Sequence, residues 1–195
     1  MNDPRASEVL HPAESALFDE TLSCDLALPA EFRLGTAVIR PGSAETLLRS
    51  VALVEDSRTD DGHDERGDSS QHLLRLEAKL DLVMVLLGRL VRQSAQDLPL
   101  RPLRWSRQGI RLELGSRSAA NPGSLGIIRL QPCDWLPDHI DLPVSVLAEA
   151  ATGSGAFYLW LRFEPVSDGL EMALERHLFR LHRRQVAESR RGRDS

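Results

Sequence analysis

The chain has 195 residues, 42% of them hydrophobic, and a formal net charge of −5. That length suits one domain with or without appendages, and the apolar fraction suits a packed core. It holds no run of about 18 uncharged apolar residues, which excludes a membrane-spanning helix. Charge is uneven: residues 1–68 carry 15 Asp/Glu and 6 Arg, hence −9, which leaves +4 for residues 69–195. Arg outnumbers Lys 23 to 1, and guanidinium is the better fork for planar anions.

In chain order, the opening MNDPRASEVLHPAES is polar and lacks an apolar h-region, so a cytoplasmic protein without a signal peptide is expected. A strand is expected at Thr21–Leu28, as a possible sheet edge. Ser43 is placed to cap a helix on which Leu47, Leu48, Val51 and Val54 recur at helical spacing. Glu55–Ser70 is acidic, has two glycines and no large apolar residue, and is expected to be a solvated linker. His63 among its acids has no apolar surroundings to hold a metal, and none is expected.

The segment HLLRLEAKLDLVMVLLGRLV follows. Leu73, Leu76, Leu80, Val83, Leu87 and Leu90 are spaced 3, 4, 3, 4, 3, an unbroken heptad frame for an oligomerisation helix. Met84 and Val91 at e and Leu86 at g widen the apolar surface beyond a two-stranded seam, so more than two helices are expected to meet there. Pro99 and Pro102 end the helix. The period then becomes 2. Strands are expected at about Arg101–Ser106, Ile110–Leu114, Ser124–Leu130, Leu142–Ala150 and Ala156–Phe163, between turn signals such as Asn121-Pro122-Gly123. After Pro165 the period is helical again, with Ser167 or Asp168 as cap and an arginine-rich end. Cys24 and Cys133 have no neighbours at metal-ligand spacing and are expected to be reduced thiols.

This order resembles the PilZ domain, a bacterial receptor module for cyclic di-GMP, and within it the atypical branch in which a heptad helix precedes the barrel and drives tetramer formation. The residues that carry the likeness are HLLRLEAKLDLVMVLLGRLV, LPLRPLRWSRQGIRLEL, GSLGIIRL, LPVSVLAEA, YLWLRFEPV and GLEMALERHLFRLHRRQ, spanning about Leu73 to Arg184. It implies an α+β fold: a small antiparallel β-barrel, a long heptad helix before it and a C-terminal helix. The division implied is an acidic N-terminal extension with a short helix and linker at 1–70, the heptad helix at 71–97, the barrel with its C-terminal helix at 98–189, and a disordered basic tail at 190–195.

The family's ligand motif is an acid or amide, then x-Ser-x-x-Gly at a strand turn, with an Arg-x-x-x-Arg upstream. Here Ser106 and Gly109 match, Arg104 stands in the opening position, and no Arg-x-x-x-Arg precedes the barrel. The candidate nucleotide-binding residues are Arg101, Arg104, Ser106, Arg107 and Gly109. The arginines are expected to line a basic groove beside the turn, Ser106 to supply a hydroxyl, and Gly109 to permit positive φ. The expected function is cyclic di-GMP signalling as an oligomeric receptor, or an oligomeric adaptor that has lost the nucleotide and binds a protein effector. No enzyme motif is legible: the six histidines fall in no nucleophile or metal pattern, and there is no P-loop or dinucleotide fingerprint. The strands lack the aromatic interleaving of a nucleic-acid platform. Beyond the signalling nucleotide, no cofactor is expected.

Overall fold

A computed structural model describes residues 11–36, 42–60, 98–136 and 138–191, together with Leu80 and Val83. Six strands form a closed antiparallel barrel in the order β1-β2-β3-β6-β5-β4: β1 Ser23–Leu34, β2 Leu100–Ser106, β3 Gly109–Leu114, β4 Leu125–Leu130, β5 Ile140–Ala151 and β6 Phe157–Phe163. Three helices accompany it: α1 Pro12–Phe18, α2 Ser43–Asp60 and α3 Asp168–Arg191. The alternation read from sequence sets the inside. Ile110 and Leu112 of β3, Leu142, Val144 and Val146 of β5, and Leu159 and Leu161 of β6 fill one core.

β1 is not an edge. It pairs with β2 through Ser23–Pro29 and with β4 through Ala30–Leu34, so one long strand closes the barrel. Closure satisfies every strand and leaves no edge exposed. The barrel thus takes its first stave from the segment expected to be an extension.

Helices α2 and α3 run parallel and join the same core through Ala44, Leu48, Ala173, Leu174, Leu178 and Leu181. At one end Glu45 accepts from the Ser167 hydroxyl. At the other, Glu55 accepts from Arg180 at 3.0 Å and Arg184 at 2.7 Å. The linker expectation is therefore corrected at its start. Residues 55–60 are helical, because Glu55 has two arginines on α3 to meet. α3 also runs to Arg191, two residues into the expected tail. Of the heptad frame, Leu80 and Val83 are helical and exposed, at 59% and 49%; the rest lies outside the described residues, as does His63.

α1 makes a second, smaller core on the outer wall of the barrel. Ala13, Leu17 and Phe18 pack there against Ala148 and Trp160.

Candidate functional site: the outer wall at the serine turn

One row of residues crosses the wall from strand to strand. Arg104 of β2 lies opposite Arg111 of β3, and Arg111 lies opposite Trp160 of β6. Two like charges side by side on a sheet repel each other. Glu14 of α1 resolves this. The residue is 5% exposed. One oxygen accepts from Arg104 Nη1 at 2.9 Å and Arg111 Nη1 at 2.8 Å. The other accepts from Trp160 Nε1 at 2.7 Å. Aromatic faces complete the clamp: Arg104 lies 4.6 Å from the Phe18 ring centre and Arg111 4.4 Å from that of Tyr158. His11 caps α1 with its ring nitrogen and stacks on Trp160 at 4.6 Å.

The five candidate residues separate from one another. Arg104 is committed to Glu14 and to the Ser23 hydroxyl. Ser106 is fully buried; its hydroxyl donates to the Leu17 carbonyl at 2.6 Å and accepts from Gln108 N at 3.1 Å. Gly109 does not have the positive φ expected of it: among the described residues the glycines that do are Gly35, Gly42, Gly123 and Gly155. Its reason is close approach, since a Cβ there would sit 2.1 Å from the Leu161 carbonyl oxygen. Arg107 alone of the five projects from the turn, and it pairs with Glu175 of α3 at 2.9 Å. Arg101 shares the inward face with Leu103 and Trp105 toward the other end of β2, and its buried Nε has no hydrogen-bond partner among the described residues. The three arginines expected to share one groove therefore occupy three different settings.

Sequence reasoning missed Glu14, Arg111 and Trp160. Arg111 carried a signal, as an outward position two residues beyond Gly109 on the strand that follows the turn. Glu14 carried none, because about 90 residues separate it from Arg104.

On the far side of the barrel wall, His177 of α3 is buried against Trp105, with ring centres 5.6 Å apart. Its Nε2 meets the Pro132 carbonyl at 3.1 Å. Burial, then the nearby Arg180, push its pKa down to about 4. Burial raises the Cys24 thiol to about 11 and the Cys133 thiol to about 12, so neither is a ready nucleophile.

Residues 48–191 match the family model described as the atypical PilZ domain, cyclic di-GMP receptor. The chain belongs to the atypical PilZ domain family. A solved structure from Xanthomonas campestris, a pathogenic protein with a tetrameric PilZ domain self-assembled via a helical bundle, is 51% identical. It matches with a TM-score of 0.78, over 90% of this chain and 96% of that one. The Bacillus subtilis inhibitor of motility matches at 18% identity and a TM-score of 0.38, over 46% of this chain and 43% of that one. No curated protein matches the chain. Within this PilZ chain, the serine turn is built into the fold beneath α1. No helix among the described residues is long and apolar enough to cross a membrane.

Proposed function

We propose that this chain is a self-assembling PilZ-type signalling adaptor, in which the serine turn serves the fold and a protein effector is the partner. One observation carries the reading: Ser106, the best match to the family's ligand motif, is fully buried with its hydroxyl committed to the Leu17 carbonyl. A nucleotide at this turn would have to displace α1, with Glu14 and its three donors. The heptad frame Leu73, Leu76, Leu80, Val83, Leu87 and Leu90 is the proposed assembly seam. The tetramer formed by the 51% identical relative supports the same stoichiometry here.

The second reading is a cyclic di-GMP receptor that uses Arg101, Arg104, Ser106, Arg107 and Gly109. The exposed Arg107 favours it, with the family's receptor character. Calorimetric titration with cyclic di-GMP decides between them. The adaptor reading expects no heat up to millimolar nucleotide. Heat that is lost in Arg104→Ala would give the turn to the nucleotide.

A further inference from the structure

A groove of about 840 Å³ lies between the serine turn, the α1–β1 connection and α3. Its α3 wall presents Arg176, Phe179, Arg180 and Arg183. These follow one another by 3, 1 and 3 residues, which puts them in a single stripe on one face of the helix. The buried face of α3 is a different one, formed by Ala173, Leu174, His177, Leu178 and Leu181. The stripe is therefore not spent on the core. Phe179 is 54% exposed, and Leu22 on the opposite wall is 36% exposed.

The groove is basic. Four arginines line it against two glutamates, Glu20 and Glu175. Glu175 is already taken by Arg107, and Arg180 turns to Glu55 on α2. Arg176 and Arg183 have no carboxylate partner among the described residues. They stand about 10 Å apart along the helix at 1.5 Å per residue. Residues i, i+2 and i+4 of an extended chain share one face and span about 13 Å at 3.3 Å each, which two exposed, flexible arginine side chains can meet by splaying. A strand passing through could set one carboxylate on each arginine and an apolar side chain between them on Phe179.

We propose that this groove is the effector-docking surface of the adaptor and takes an acidic peptide segment with a central apolar side chain. This rests on the adaptor reading and supplies its partner's chemistry. Arginine forks suit carboxylates, and the exposed ring gives the apolar residue somewhere to bury.

Fluorescence anisotropy of the full-length chain tests it. The probe is a short fluorescein-labelled peptide of aspartates and glutamates around one leucine; its control has glutamines and asparagines in place of the acids. The acidic peptide should bind in low salt and weaken as salt rises. Arg176→Gln and Arg183→Gln should each weaken it about ten-fold or more, one charge-assisted bond each. Phe179→Ala should weaken the leucine peptide and leave an alanine version unchanged. Because these side chains are exposed, melting temperature and mass by light scattering should not move. Equal binding of peptide and control, or no binding at low salt, overturns the inference, and silent cyclic di-GMP calorimetry beside it leaves the adaptor reading standing. Nucleotide heat that is lost in Arg176→Gln assigns the groove to a nucleotide and overturns both. A change of mass in either arginine variant assigns this face to a second copy and overturns the inference. So does marked tightening of the peptide when residues 61–70 are deleted, since the chain's own acids would then be the occupant.

Discussion

Glu14 and Trp160 meet at 2.7 Å, indole nitrogen donating to carboxylate, across 146 residues of chain. That bond and the two from Arg104 and Arg111 make a seven-residue helix part of the barrel wall. An isolated helix of that length would not persist in water. It persists here because Leu17 and Phe18 are buried beneath it and because the adjacent guanidiniums need an anion.

Glu14→Ala should therefore cost more than the loss of one exposed ion pair. It leaves two partly buried arginines opposite each other with their shared anion gone, at about 3 kcal/mol. Denaturant unfolding should show the loss. Trp160 emission should shift to the red as the ring meets water. Glu14→Gln, which can still accept hydrogen bonds, should lose less.

Gly109→Ala should destabilise strongly. The added methyl would meet the Leu161 main-chain oxygen at 2.1 Å, and a backbone atom within a ladder cannot swing aside. A loss of about 3 kcal/mol or more is expected, seen as a lowered melting temperature. Ser106→Ala should cost less, about 1–2 kcal/mol, because it removes a hydroxyl and adds no clash.

His177 should make the fold acid-sensitive. Its folded pKa, about 4, lies below the usual 6.5, so the unfolded chain takes up the proton first. The stability contribution is whole above about pH 6.5, declines as pH falls from there toward 4, and levels off below. The decline should reach about 3 kcal/mol at about 1.4 kcal/mol per pH unit. Melting curves across that window should show it. His177→Leu should flatten the part of the decline that belongs to this ring, and an unchanged slope would assign the effect elsewhere.

Leu80→Asp with Leu87→Asp should dissociate the assembly, by placing carboxylates in an apolar seam. Leu80 is 59% exposed in the single chain, so the barrel itself should keep its melting temperature. Light scattering at tens of micromolar reads the mass. Wild-type protein that is already monomeric there would end the assembly proposal.

The barrel was legible because period-2 alternation and turn residues are local. Ile110, Leu112 and Leu114 declare an inward face, and Asn121-Pro122-Gly123 declares a reversal, with no knowledge of what lies opposite. The capped α3 was legible for the same reason, with Ser167 now seen accepting from Leu170 N. Barrel closure was not legible, since whether β1 finds one neighbour or two depends on where the other strands go. The serine motif shows the limit most sharply. Sequence placed Ser106 and Gly109 at a turn. Only the tertiary structure decided that α1 covers the turn, that Arg104 answers to Glu14, and that Arg107 points to α3. Hydrogen bonds and charge pairs between residues about 90 or 146 positions apart leave no periodic trace in the chain. They exist because the barrel brings β2, β3 and β6 side by side and sets two arginines in one row, where the exposed Asp25 of β1 reaches only Arg111, at 3.7 Å, and Glu14 serves both.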